Sequence, residues 1–168
     1  MKILGIDPGT VVMGYGVIES ENDEITLVDF GAITVPERSG IGERLSLLYN
    51  QLLDVILRHR PDVVAVEQPF VSKNVKSAMA IGRAQAIALL AAANSKIPSY
   101  EYTPAQVKQR VTNYGASSKE QIQEMVRLQL GMAEVPQPND AADALAVAIC
   151  HVQEMHVNDL LARQREGQ

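Results

Sequence analysis

A mixed α/β sheet flanked by helices is the fold this sequence predicts, and three observations predict it. Three short apolar segments in a row, broken by turn residues, open the chain. An unbroken apolar stretch, "DVVAVE", follows the first region of helical spacing, and extended and helical patterns alternate from there on. Three strands followed by helix, strand, helix, strand and further helices imply a five-stranded sheet. It has an antiparallel hairpin side and a parallel side joined by crossover helices.

Residues 2–7, 14–19 and 25–35 are rich in Ile, Val, Leu, Tyr and Phe and are separated by Gly, Pro, Asn and Asp, the signature of a three-strand meander. Ile41, Leu45, Leu48, Leu52 and Ile56 recur every three or four positions, so 41–59 is an amphipathic helix. "DVVAVE", residues 62–67, lacks alternation, as a strand covered on both faces of a parallel sheet does. An alanine-rich helix over 76–95, a strand in "PSYEYT" and helices over about 104–112 and 118–130 come next. The last helix begins near 139, with Asn139 as its N-cap. No repeat or linker interrupts the chain, which reads as one domain over 1–156 followed by a flexible C-terminal tail over 157–168.

With 168 residues, 46% hydrophobic and 21% charged, the chain can bury one sizeable core. No apolar run approaches the roughly 20 residues of a membrane span, and "MKILGID" lacks the pattern of a signal peptide. A single cysteine, Cys150, excludes an internal disulfide and points to the cytoplasm. His59, His151 and His156 show no zinc-ligand spacing with it and read as core or helix-surface residues. The net charge of −5 is not that of a nucleic-acid-binding surface, but it is unevenly spread. Residues 66–130 carry eight basic against four acidic side chains, and the remainder seven against sixteen. A local polyanion-binding face and basic residues scattered over solvated helices fit that count equally.

Two strands end in an acid, "KILGID" in Asp7 and "DVVAVE" in Glu67. The functional crevice of an open α/β sheet lies beyond the carboxyl ends of its parallel strands, so both carboxylates would emerge there. In "PNDAADALAVAIC", Asp140 is explained by the helix dipole alone. Asp143, the one polar side chain between Ala141 and Cys150, is not. Three residues apart, the two acids share one helical face, while Leu145, Ala148, Ile149 and Val152 define the face that packs. Four converging acids repel, each pair by about 4 kcal/mol at 4 Å and an effective dielectric near 20. All-oxygen ligation favours a hard cation, magnesium or manganese, which shares its shell with substrate phosphate. Two such ions would activate a water and stabilise the leaving oxygen of a phosphodiester.

"GIDPGT" with "GYGVIE", "AVEQPFVSKN", "PAQVKQRV", "GASSKEQIQEMV" and "NDAADALAVAICH" together resemble the RuvC family of bacterial crossover-junction endonucleases, in the ribonuclease H-like superfamily. The resemblance spans residues 1 to about 156. It implies a ribonuclease H-like sheet and a homodimer that resolves four-way Holliday junctions by two symmetric nicks. It also implies magnesium, as two ions, held by Asp7, Glu67, Asp140 and Asp143, with manganese as a substitute. Some members carry a histidine in place of Asp140. By the same resemblance Phe70 would stack on a base at the junction centre, and Lys73, Lys76, Lys108 and Lys119 would line the DNA path. The branch-migration proteins RuvA and RuvB would be partners. The small residues of "KSAMAIGRAQAIALLAAANSK" would let a second copy approach, although packing onto the domain's own sheet explains them as well. Rival readings are an actin-like ATPase or sugar kinase lobe, a relative acting on RNA or another branched nucleic acid, and a binding module with vestigial acids.

Overall fold

The computed structural model describes residues 1–22, 24–69 and 74–166. Strands β1 (Lys2–Asp7), β2 (Val12–Glu21) and β3 (Glu24–Thr34) are followed by helix α1 (Ile41–His59) and strand β4 (Val63–Glu67). Helix α2 (Val75–Asn94), strand β5 (Ser99–Tyr102) and helices α3 (Pro104–Thr112), α4 (Lys119–Gln129) and α5 (Asn139–Glu166) complete the chain. The sheet order is β3-β2-β1-β4-β5. β1 pairs antiparallel with β2 and parallel with β4, and β4 pairs parallel with β5, which is the mixed sheet read from the sequence.

Alternation along the strands sends successive side chains to opposite faces and so builds two cores. On one, Leu4, Ile6, Val64 and Val66 meet Leu48, Leu52, Val55 and Ile56 of α1 and Ala84 and Ala88 of α2. On the other, Ile3, Ile18, Ala65 and Tyr102 meet Val107, Val111, Ile122 and Val126 of the α3–α4 hairpin and Leu145 and Ile149 of α5.

Four details differ from expectation. First, α5 does not pack by one face and offer the other to water. Every residue from Ala141 to Val152 except Asp143 is buried, because the sheet lies under the helix while α3 and α4 cover it from outside. Asp140 and Asp143 stand partly exposed at its N-terminal end. Second, Asn139 is not the cap of α5. The Pro138 carbonyl accepts the Ala142 N–H, and the Asn139 side chain instead accepts a hydrogen bond from Gln123 of α4. Third, α2, with 20 residues and mean hydropathy 1.2, is long and apolar enough to cross a membrane by length and composition alone. Its alanines at 84, 88, 91 and 92 are buried against the domain's own core. Fourth, residues 157–166, set apart in the sequence as a tail, continue α5 as helix.

Candidate active site

Asp7 and Glu67 stand side by side because β1 and β4 run parallel in register. The ladder ends at Ile6 opposite Val66, and the next residue on each strand is the acid. Both side chains fall on the α5 face, two residues on from Gly5 and Ala65. α5 enters over the same edge and brings Asp143 to them. Asp7, Glu67 and Asp143 line a crevice of about 300 Å³ together with Pro104, Val107, Lys108, Lys119, Ile122 and Ala146. Asp140 is not among the lining residues, but its charge acts on Asp7 from the rim.

The lysines are aimed by two capping boxes. Thr103 Oγ1 accepts from the Gln106 amide at 3.2 Å while Gln106 Oε1 accepts from the Thr103 amide at 2.9 Å, so α3 starts at the crevice with Lys108 in its second turn. Ser118 and Gln121 do the same for α4, at 3.2 and 2.8 Å. Lys119 is thereby its first residue, a position where the helix dipole disfavours a cation. What holds it is the carboxylate cluster: Lys119 Nζ lies 2.9 Å from Asp143 Oδ2. Thr112 ties the connection between the two helices, donating to the Lys108 or Tyr114 carbonyl and lying 2.7 Å from Ser117 Oγ.

Burial first, then the charges of Glu67, Asp143 and Asp140, push Asp7 up to about 8. Burial first, then the charge of Asp143, pushes Glu67 up to about 7, with Lys119 and Lys108 pulling it back. Lys119 in turn is held above its ordinary value, chiefly by its hydrogen bond to Asp143. The crevice is short of positive charge. Among the described residues, no group of three or more His, Cys, Asp or Glu side chains is placed so that it could hold a metal ion without rearrangement.

The sequence profile of the family described as "Crossover junction endodeoxyribonuclease RuvC" matches residues 3–151. The chain belongs to the RuvC family. A RuvC of Dehalococcoides mccartyi is 59% identical over 163 residues, 97% of this chain and 98% of its own. The solved structure of T. thermophilus RuvC in complex with Holliday junction substrate superposes with a TM-score of 0.88 at 34% identity, covering 94% of this chain and 96% of that one. The yeast mitochondrial Holliday junction resolvase Ydc2 is 14% identical over 96% of this chain and 85% of its own; with a TM-score of 0.62 it shares the fold.

Of the residues that the RuvC resemblance singled out, the structure brings Asp7, Glu67, Asp143, Lys108 and Lys119 into one crevice and sets Asp140 at its rim. Lys76 lies apart, exposed in the first turn of α2. Phe70 and Lys73 fall outside the described residues. Arg110, to which no role was assigned, pairs with Glu154 of α5 at 2.8 Å. The apolar wall of Val107, Ile122 and Ala146 was not anticipated. The Thr-x-x-Gln and Ser-x-x-Gln spacings at 103–106 and 118–121 were the available signal for where its helices begin.

Proposed function

We propose that this chain is a crossover junction endonuclease that cuts four-way DNA junctions by divalent-metal-dependent phosphodiester hydrolysis, working as a homodimer that nicks two strands symmetrically. The observation that carries the proposal is the meeting of Asp7, Glu67 and Asp143 with Lys108 and Lys119 at the carboxyl edge of two parallel strands.

The donor set fits a hard cation. Every candidate ligand is a carboxylate, two of them are raised by burial and mutual repulsion, and the counter-charge in the crevice is two lysines, one of them already paired with Asp143. An open crevice rather than a cage suits an ion that keeps water and shares its shell with phosphate. Asp7, Glu67, Asp140 and Asp143 would hold one or two ions of the magnesium or manganese type. When bound, these supply hydroxide at neutral pH and neutralise the leaving oxygen. The chain's own residues do the remaining work. Asp7 and Glu67 are fixed at the ends of adjacent strands and must be ionised to act as ligands. Lys119 and Lys108 face them from α4 and α3, placed to donate to the oxygens of an incoming phosphate. The apolar wall limits water on the protein side and strengthens these charge interactions.

Lys76, with Lys73 in the segment between β4 and α2, would line the DNA path, and Phe70 would stack on a base at the junction centre, at about 1 to 3 kcal/mol per base. Dimerisation is supported by the outer face of α2. Val75, Met79 and Leu90 are 62%, 57% and 50% exposed, and a Cβ on Gly82 would meet open space. A cytoplasmic location and delivery of the junction by RuvA and RuvB rest on family membership alone.

The test is incubation with a synthetic four-way junction and Mg²⁺, followed by mapping of the cuts. Paired, symmetric, ligatable nicks are expected, with binding that weakens steeply as salt rises. Equal cutting of linear duplex overturns the junction specificity. Met79→Glu should yield a monomer by light scattering and lose the pairing of nicks.

A further inference from the structure

Gly5, Gly14 and Gly16 lie under α5. Asp7 pairs with Gly14 across β1 and β2, and Gly5 pairs with Gly16. Paired residues point to the same face of a sheet, so all three glycines share the face that carries Asp7 and receives α5. None of them has a positive φ, so an L-residue could adopt each backbone; what the glycines provide is space. A Cβ on Gly14 would land on the carbonyl oxygen of Asp140, far inside the 3.0 Å that real Cβ contacts respect. A Cβ on Gly5 would land on the carbonyl oxygen of Ala144, with the Ala148 amide at 2.8 Å and its Cβ at 2.9 Å. These obstacles are mostly helix backbone, which cannot turn aside as a side chain can. The Gly16 position differs in degree: its nearest obstacles are Cδ2 and Cγ of Leu145 at 2.6 and 2.7 Å, a side chain that can turn, and the helix backbone is met only at the Leu145 amide nitrogen, 2.9 Å away.

The structure assigns Gly14 and Gly5 as positioning residues for the carboxylate site: they set the depth at which α5 holds Asp140 and Asp143 against Asp7 and Glu67. Gly14 acts at Asp140 itself, and Gly5 acts at the residue after Asp143. The inference rests on the reading of the four acids as ligands of divalent ions. A side chain at either glycine lifts the start of α5 off the sheet and widens the gap between the acids of the helix and the acids of the strands. It leaves Lys108 and Lys119, carried by α3 and α4, to bind DNA. Misplacement on the order of 1 Å in a catalytic constellation costs about a hundredfold in rate.

The test compares the full-length parent with Gly14→Ala, Gly5→Ala and Gly16→Ala. Three quantities are measured: Mn²⁺ affinity by electron paramagnetic resonance without DNA, junction affinity in Ca²⁺, and cleavage of saturating junction in Mg²⁺. Gly14→Ala and Gly5→Ala are expected to bind Mn²⁺ at least tenfold more weakly and to cut about a hundredfold more slowly. Their junction affinity should stay within about threefold of the parent. Gly16→Ala serves as the control for general loosening; once the Leu145 side chain turns aside, only its amide nitrogen at 2.9 Å must give, so its Mn²⁺ affinity should stay within about threefold of the parent even where its melting temperature falls. If only one of the two site variants folds, that variant alone decides. Parental Mn²⁺ affinity in a folded Gly14→Ala or Gly5→Ala overturns the inference and leaves the metal-site reading intact. An equal loss of Mn²⁺ affinity in Gly16→Ala also overturns it. A parent that neither binds Mn²⁺ nor cuts overturns both.

Discussion

The two faces of the sheet are covered by different means. On the α1–α2 face, branched and long side chains interdigitate: Leu4, Ile6, Val64 and Val66 from the strands meet Leu48, Leu52 and Ile56. On the α5 face, glycines on β1 and β2 meet an alanine-rich helix, backbone close to backbone. The first arrangement tolerates small adjustments, because side chains can repack. The second fixes a helix at a set depth, and it is the one that carries four carboxylates. The difference teaches that stability and chemistry are separated by face, with precise placement where charges must converge and bulk burial behind it.

The largest expected effect is on the α5 face. Asp7→Asn should abolish junction cleavage, by at least about a thousandfold or roughly 4 kcal/mol of barrier, while junction binding persists. It should also make the metal-free protein more stable. Burial, and then the neighbouring acids, push Asp7 from its ordinary 3.8 up to about 8, so the fold prefers it protonated. Its contribution is fully present below about pH 4 and is lost as pH rises through about 8, and Glu67 behaves alike up to about 7. The melting temperature of the metal-free parent should therefore fall between pH 5 and 9, and Mn²⁺ should restore it. In Asp7→Asn the fall should be shallower and the restoration small. Normal cleavage by this variant would remove Asp7 from the site.

The opposite result is expected across the sheet. Leu52→Ala, in α1 with its side chain fully buried, should cost about 2–5 kcal/mol by chemical denaturation. Below its melting temperature, cleavage per folded molecule should be unchanged. A matching loss of turnover would show that the two faces are mechanically coupled and would break the comparison.

Lys119→Ala returns to the site with a smaller effect. The Lys119–Asp143 pair is 54% and 26% exposed, so its removal should change stability by no more than about 1 kcal/mol. Cleavage should drop by about a hundredfold, as loss of one donor to a developing charge does. If cleavage at saturating junction is normal, the lysine serves only to hold Asp143.

What was legible in the sequence follows the same division. The spacing of Leu45, Leu48, Leu52 and Ile56 announced α1, because a helix covered on one side carries a period. Asp7 and Glu67 were legible as acids ending apolar strands, and parallel pairing placed them together. The setting of α5 was not legible. A helix buried on every side has no polar face to mark its orientation, and nothing in "AADALAVAIC" says that α3 and α4 close over it. The role of Gly5 and Gly14 was hidden for a related reason. Inside a strand pattern a glycine looks like a weak strand residue, and the helix that needs its empty space lies about 130 residues away in sequence. Lys119 was singled out by the family resemblance alone, since its own surroundings in sequence are a scattered basic region; the Ser118 cap puts it at the head of α4, facing Asp143.

The smallest effect sharpens the comparison within the α5 face. Tyr102 stands opposite Glu67 on β5, and its hydroxyl lies 2.7 Å from Nδ1 of His151, two turns of α5 beyond Asp143. Burial holds His151 below its ordinary value, so near pH 7 the ring is neutral and Nδ1 can accept the phenolic proton. Tyr102→Phe keeps the ring packing and leaves that buried nitrogen without its partner, at a cost of about 1–3 kcal/mol. Glu67 is held by the backbone of β4, where the Gln68 amide donates to the Tyr102 carbonyl at 2.8 Å, and the substitution leaves that bond in place. Equilibrium denaturation should therefore show the loss, while cleavage and Mn²⁺ affinity stay within about twofold of the parent, a difference of about 0.4 kcal/mol. A fall in Mn²⁺ affinity as large as that expected for Gly14→Ala would mean that the far end of α5 also sets the depth of its acids, and the site would then extend along the whole helix rather than ending within its first two turns.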